Sequence, residues 1–212
     1  MTVERIHSDS CELNQSIVRL LDGKVNAVCI GSSGNSEEKQ RTILPGAFDP
    51  LHNGHLKMAK IAQHVTGVAV EFELSVLNVE KPALELTAIE SRISQFGDQQ
   101  TVWLTKSATF EAKSDIFRRT TFVVGTDTIV RIADAGYYDR DQEKCKAAIN
   151  RIIRNDCRFL VFGRTAPKGF TTLRELALPR ELCEICTEVS EEEFREDISS
   201  SMLRDKDENR HS

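Results

Sequence analysis

The stretch Thr42-Ile-Leu-Pro-Gly-Ala-Phe-Asp-Pro-Leu-His-Asn-Gly-His55 joins a short apolar run to a segment rich in glycine, proline and histidine. The apolar run predicts a β-strand, and the glycines and prolines after it indicate a tight junction. A helix with one buried face is then predicted by the spacing of Met58, Ile61, Ala62 and Val65. In an open parallel sheet, such a strand-to-helix junction lies where ligands bind.

The same alternation of apolar runs and helical patterns continues along the chain, and the pair Thr87 and Glu90 has the spacing of a capping box at a helix start. The alternation of apolar runs with helical patterns predicts an α/β fold, a Rossmann-like parallel sheet flanked by helices. The predicted strands are Thr42–Leu44, Val68–Leu77, Val102–Leu104, Thr121–Val124, Arg158–Phe162 and Ile185–Val189.

One predicted strand differs from the others in its pattern. Apolar residues alternate there with Glu71, Glu73 and Ser75. Such alternation is typical of a strand with one face in water, so we expect it at or near an edge of the sheet.

Residues 1–40 form a predicted N-terminal extension with a flexible loop, and residues 41–212 form the main domain. The extension contains a predicted helix, Glu12–Leu21, and a short apolar run, Val25–Ile30. Residues 31–40 are rich in glycine, serine and charge, which predicts a flexible connection.

Composition narrows the classes of function. The chain has 212 residues and a net charge of −5, so no overall positive field favours nucleic acid or anionic lipid. The six cysteines are too sparse for a disulfide scaffold, and no apolar stretch approaches the ~20 residues of a membrane span. Cys183 and Cys186 suit ordinary reduced thiols better than zinc or redox chemistry. We expect a soluble, cytoplasmic protein with no metal site of its own; the sequence leaves its oligomeric state open.

The two histidines of the opening stretch have a spacing that suits phosphate. His52 and His55 lie about one turn apart, so both imidazoles project on one side of the predicted helix start. Backbone N–H groups and the helix dipole favour an anion there. Gly46 is expected to allow a tight turn, and Gly54 to allow phosphate to approach. The alternative is that the histidines are ordinary polar residues at a helix start.

Three segments resemble motifs of one superfamily. The histidines, preceded by Gly-x-Phe-Asp-Pro, resemble the HxGH signature of the cytidylyltransferase-like nucleotidylyltransferases. Gly125-Thr-Asp127 resembles their GxD segment, which implies that Asp127 meets a ribose hydroxyl. Ile198-Ser-Ser-Ser-Met-Leu-Arg204 resembles their ISSTxxR motif, although Ser201 replaces threonine. This motif implies a helix start and an arginine that form a second anion site.

Within the superfamily, the motifs most resemble those of nicotinamide or nicotinate mononucleotide adenylyltransferases. That resemblance implies ATP and a mononucleotide (NMN or NaMN) as substrates, with Mg²⁺ held mainly by the ATP phosphates. It implies catalytic roles for His52, His55 and Arg204. It implies binding roles for Gly46, Ala47, Phe48, Gly54, Gly125, Asp127, Ser199 and Ser200. Lys81 is a further candidate for binding because it follows a predicted strand at the ligand-binding end of the sheet.

Several alternatives stay open. The loop Thr128–Tyr138 lacks the tryptophan common in bacterial nicotinate-nucleotide enzymes, and we expect this loop to decide the acceptor's base. The chain could be an adenylyl- or cytidylyltransferase with another phosphorylated acceptor, or a non-catalytic nucleotide-binding module. Lys81 and Arg164 each follow a predicted strand, where they could meet a substrate phosphate or simply be solvated.

Overall fold

The computed structural model describes residues 2–6, 10–31, 40–77, 83–166 and 169–194. In these ranges one mixed sheet has the strand order β1-β2-β5-β4-β3-β6-β7-β10, and all neighbours are parallel except β2 and β5. A separate antiparallel pair is formed by β8 (Arg164–Ala166) and β9 (Gly169–Thr171). The strands of the large sheet are β1 (Val3–Ile6), β2 (Ala27–Ile30), β3 (Arg41–Pro45), β4 (Val70–Ser75), β5 (Val102–Thr105), β6 (Thr120–Gly125), β7 (Arg158–Phe162) and β10 (Cys186–Val189).

Helices cover both faces of this sheet, and apolar side chains beneath them form two core clusters. The predicted α/β, Rossmann-like fold is confirmed, as are the six predicted strands of the main domain. No helix in the described ranges is both long and apolar enough to cross a membrane. The helices are α1 (Ser10–Leu21), α2 (Asn53–Thr66), α3 (Leu86–Ile93), α4 (Phe110–Ile116), α5 (Thr126–Ala133), α6 (Gln142–Arg154) and α7 (Arg180–Cys183).

The predicted capping box at Thr87 is wrong. Helix α3 begins at Leu86, and its N-cap residue Glu85 makes no side-chain capping bond. Leu86 packs on the core and Ile89 is fully buried within it. Because both residues must face the sheet, the helix starts early enough to include Thr87 in its first turn.

The sheet reverses its order of strands beside β3. From β3 the chain continues to β4 and β5 on one side, and β6, β7 and β10 lie on the other. The connections after β3 and β6 therefore diverge, which opens a crevice at the carboxyl ends of these two strands. Both histidines and the Gly125–Asp127 segment follow these strand ends.

The N-terminal segment is part of the same sheet. Strand β2 pairs with β5, and Val28 lies opposite Leu104. Ile17 and Leu20 of α1 are fully buried in the core cluster that also contains Leu44 of β3. Residues 2–6 and 10–31 thus share a sheet and a core with the main domain. The boundary near residue 40 stays a prediction, and residues 32–39 of the predicted loop lie outside the described ranges.

Strand β4 lies in the interior of the sheet, so the prediction of an edge strand was wrong. Its two glutamates are buried against cations from other elements. Glu71 accepts hydrogen bonds from Arg41 at 2.8 and 2.9 Å and from Trp103 Nε1 at 2.7 Å. Glu73 accepts two from Lys113 Nζ, both at 2.7 Å. In the sequence, alternating carboxylates resemble a solvent-exposed face of a strand. Their cationic partners lie 30 and 40 residues away in the chain, so the local pattern does not reveal that these carboxylates are buried.

Candidate active site

The loop after β3 is built around a buried aromatic ring. Phe48 is completely buried and has a left-handed backbone, with φ of 48°. Its ring meets His55, Phe72 and Phe96 edge-on, with centroids 5.1 to 5.7 Å apart. A Cβ on Gly46 would lie 2.7 Å from this ring. Gly46 is therefore required because a side chain there would collide with the Phe48 ring, and the buried Phe48 stabilises the loop by packing beneath it. Direct contact of either residue with a nucleotide stays a prediction.

The two histidines cap helix α2 reciprocally. His52 is the N-cap residue, and its Nδ1 accepts a hydrogen bond from Gly54 N–H at 3.1 Å. His55 Nδ1 accepts one from His52 N–H at 3.3 Å. The rings stack with centroids 3.8 Å apart and planes 26° apart. Because each Nδ1 accepts, each imidazole is neutral and carries its proton on Nε2.

His55 keeps this neutral form over a wide pH range. Its pKa is lowered from 6.5 to about 4 by burial, by the neighbouring His52 and by the charge of Arg164. At neutral pH His55 is thus a hydrogen-bond donor through Nε2–H and carries no charge. Two such donors, stacked at the N-terminus of a 14-residue helix with no acidic residue in its first turn, suit an anion with several oxygens.

Arg164 pairs with Asp127 of the Gly125–Asp127 segment and lies close enough to His55 for its charge to act on it. Helix α5 begins immediately after β6, which places Asp127 in its first turn. Arg164 Nη1 donates a hydrogen bond to Asp127 Oδ2, and both side chains are nearly half exposed. The charge of Arg164 also acts on His55. The structure therefore places Arg164 near His55, a position compatible with the interpretation that it meets a substrate phosphate. The contact of Asp127 with a ribose stays a prediction.

Two residues of the site were missed by sequence analysis. Arg92 of α3 donates a hydrogen bond to Ala47 O at 3.2 Å and pairs with Asp49 at 2.9 Å. Gln95, just after α3, donates to Phe48 O at 2.9 Å and accepts from Leu51 N–H at 2.8 Å. They hold the backbone of the loop after β3. The sequence carries no signal for them, because they act on residues more than 40 positions away.

A cavity of about 370 Å³ opens beside the histidine loop. Gly46 and Ala47 form part of its wall, so a ligand in it would touch the same loop that carries the histidines. The segment after Asp127 contributes to this wall. Its role at the acceptor's base stays a prediction. The contributing side chains of that segment are Thr128, Arg131, Ile132, Tyr137 and Tyr138.

Four of the predicted site residues lie outside the described ranges, and the structure says nothing about their positions. They are Lys81, Ser199, Ser200 and Arg204. The serine motif and its predicted anion site therefore stay predictions. Gly54 is buried in the first turn of α2, and Gly125 is the N-cap residue of α5.

Comparison with known families gives one result. A family model described as cytidylyltransferase-like matches residues 43–206, more than half of the chain. The match covers all three segments whose motifs were recognised in the sequence. No curated protein matches the chain.

Proposed function

Since this chain belongs to the cytidylyltransferase-like family, we propose that it is a nicotinamide or nicotinate mononucleotide adenylyltransferase. Family membership supports nucleotidyl transfer in general. The choice of ATP and of a pyridine mononucleotide is our proposal, and it depends on the resemblance of the three motifs. Its main structural support is the stacked pair His52 and His55, whose Nε2–H donors stand at a helix N-terminus beside a cavity.

The proposed reaction is one in-line displacement. An oxygen of the acceptor's phosphate attacks the α-phosphorus of ATP and forms a new P–O bond. The bond from the α-phosphorus to the oxygen that bridges to the β-phosphorus breaks, and pyrophosphate leaves with the electron pair. The attacking phosphate is already anionic at neutral pH, so no general base is needed. Catalysis then depends on positioning and on stabilising charge at the α-phosphate and the leaving group.

The side chains divide this work among them. Neutral His52 and His55 donate hydrogen bonds to triphosphate oxygens, assisted by the positive end of the dipole of helix α2. Arg164 supplies positive charge beside them. For residues outside the described ranges, the resemblance implies that Arg204, with Ser199 and Ser200, binds the β/γ end of the triphosphate, and Lys81 is proposed to meet a substrate phosphate.

The side chains around the site fit a metal ion that binds together with the nucleotide and is held mainly by its phosphates. Within the described ranges no group of three or more His, Cys, Asp or Glu side chains could hold a metal ion. The nearby carboxylates of Asp49 and Asp127 already pair with Arg92 and Arg164. Mg²⁺ bound mainly by ATP phosphates would neutralise part of the triphosphate charge.

The cavity suits the acceptor. Small-molecule sites usually have volumes of about 300–1,000 Å³, and this one has about 370 Å³. It meets the histidine loop at Gly46 and Ala47, where the acceptor's phosphate would have to reach the α-phosphorus. The rest of the acceptor would then extend along the wall that contains Tyr137 and Tyr138.

Two conservative substitutions test the histidines. In His52→Asn the new side chain can still cap α2, and in His55→Gln it can complete the capping box, but neither restores the imidazole Nε2–H. We expect each variant to keep its thermal stability and to lose about 10²-fold in kcat/KM for pyrophosphate release. His64→Gln, at an exposed histidine in the last turn of α2, is the matched control and should stay fully active.

The assay should pair ATP and CTP with each pyridine mononucleotide. Pyrophosphate release with ATP and at least one mononucleotide supports the proposed function. Release only with CTP would point to a different transferase. Binding of ATP without any release would favour the non-catalytic nucleotide-binding alternative, and a loss of less than a few-fold in His55→Gln would remove its assigned role.

A further inference from the structure

We propose that Arg131 selects an acceptor whose base carries a carboxylate, so that nicotinate mononucleotide is preferred over nicotinamide mononucleotide. This inference rests on the proposed function. It assigns a specificity role to a residue that no sequence motif includes.

Arg131 contributes to the cavity wall from helix α5, four positions after Asp127. It shares one face of α5 with Thr128 and Ile132, at relative positions i, i+3 and i+4, and all three border the cavity. The helix starts at Thr126, beside the site of transfer. At 1.5 Å per residue, Arg131 lies about 7.5 Å farther along the helix axis than Thr126. It therefore faces the part of the acceptor that is remote from the reacting phosphate, which is the base.

Among the lining residues that the structure describes, every charged side chain except Arg131 has a partner of opposite charge. Arg92 pairs with Asp49 at 2.9 Å, and Lys113 pairs with Glu73 at 2.7 Å. Arg131 also borders the cavity, and it has no ion-pair partner among the residues that the structure describes. The described wall thus has three cations and two carboxylates. One positive charge remains for a ligand, at the end where the base would lie.

The shape and chemistry of this end suit a planar aromatic acid. Tyr137 and Tyr138 border the cavity next to Arg131, and aromatic side chains pack well on a planar base. The Tyr138 hydroxyl donates a hydrogen bond to Ile132 O at 3.2 Å, which fixes the ring against α5. Burial raises the pKa of Tyr138 to about 12, so this ring adds no negative charge that would repel a carboxylate.

A guanidinium discriminates between the two acceptors by charge and by geometry. It can donate two parallel hydrogen bonds to a carboxylate, and such charge-assisted pairs are stronger than neutral ones. A carboxamide carries no charge and offers one acceptor oxygen beside an NH₂ group that would face the guanidinium donors. The same site therefore binds the acid and disfavours the amide.

Arg131→Gln tests this role directly. Hydrogen bonds to charged groups are worth about 1.5–3 kcal/mol, so kcat/KM for nicotinate mononucleotide should fall at least about 10-fold. The loss should appear mainly as a higher KM, because Arg131 contacts the base and leaves the reacting phosphates untouched. The value for nicotinamide mononucleotide should change by less than a few-fold. Arg154→Gln, at an exposed arginine of α6 that does not border the cavity, is the matched control.

Equilibrium binding of each mononucleotide without ATP separates the two proposals. If neither acceptor is turned over, but nicotinate mononucleotide binds more tightly and Arg131→Gln removes the difference, the proposed function fails and the role of Arg131 stands. Equal turnover of both acceptors by the wild-type protein would overturn the inference and leave the proposed function standing. The inference is also overturned if Arg131→Gln weakens both acceptors equally, or if nicotinate mononucleotide does not bind.

Discussion

At the scale of single residues, the two histidines use their two ring nitrogens differently. Nδ1 of His52 and Nδ1 of His55 cap helix α2, as an ordinary polar residue at a helix start would. Nε2 of each ring carries the proton and can donate to a phosphate oxygen. The structural and the functional interpretations of these histidines are therefore compatible, since each uses a different atom.

The low pKa of His55 predicts a contribution to stability that depends on pH. Its folded value of about 4 is below the ordinary 6.5, so between these values the unfolded chain binds more protons than the folded one. The free energy of unfolding should therefore decrease as pH falls from 6.5 to 4. Urea unfolding at pH 7, 5.5 and 4.5 should show a smaller decrease in His55→Gln, which has no imidazole to protonate. An identical decrease in both proteins would contradict the low pKa.

At the scale of secondary structure, β4 shows how a pattern can mislead. Its alternating glutamates resemble a solvent-exposed face, yet β4 lies between β3 and β5, and Glu73 is fully buried. Thr105 of β5 donates a hydrogen bond to Glu73 at 2.6 Å, and Lys113 of α4 neutralises its charge. Glu73 also accepts through its backbone carbonyl from Gly46 N–H at 2.9 Å, which ties β4 to the start of the histidine loop.

Breaking the pair of Glu73 and Lys113 should be costly. Glu73→Gln keeps an acceptor for Thr105 but leaves a buried ammonium without its counter-charge, a loss of about 3–5 kcal/mol in unfolding free energy. Lys113→Met should cost a similar amount. The double variant should lose much less than the sum, because no charge is then left uncompensated. Urea unfolding of the four proteins measures this coupling, and strictly additive losses would show that the pair is not coupled.

At the scale of the whole molecule, the N-terminal segment completes the sheet. Strand β2 covers the side of β5 that faces away from β4, and Lys106 donates a hydrogen bond to Leu21 O at 2.8 Å at the end of α1. Without residues 2–31 the backbone groups of β5 would be exposed at an unprotected edge.

Deleting residues 1–31 should therefore destabilise the main domain and promote aggregation, measured by thermal unfolding and by size-exclusion chromatography. A milder test uses Ile17, which is fully buried. Ile17→Ala should lower the unfolding free energy by about 2–5 kcal/mol. Val18→Ala, at a neighbouring side chain that is 48% exposed, should change it by less than about 0.5 kcal/mol. A truncated protein that unfolds like the full chain would show that the segment is independent of the main domain.

Local patterns in the sequence were enough to predict the class of fold, the strands of the main domain and the location of the histidine loop. These depend on local patterns: apolar periodicity, turn residues, and motifs within a few positions of one another. The role of the loop after Asp127 at the acceptor's base depends on the resemblance alone and stays a prediction.

Which distant residues meet at the site depends on how the whole chain folds. Arg92 and Gln95 hold the histidine loop from α3, Arg164 pairs with Asp127, and Arg131 borders a cavity whose other described charges are paired. The burial of the β4 glutamates and the pairing of β2 with β5 also depend on the fold of the whole chain. Each depends on contacts between residues tens of positions apart, and no local pattern records which cation, carboxylate or strand the folded chain brings opposite.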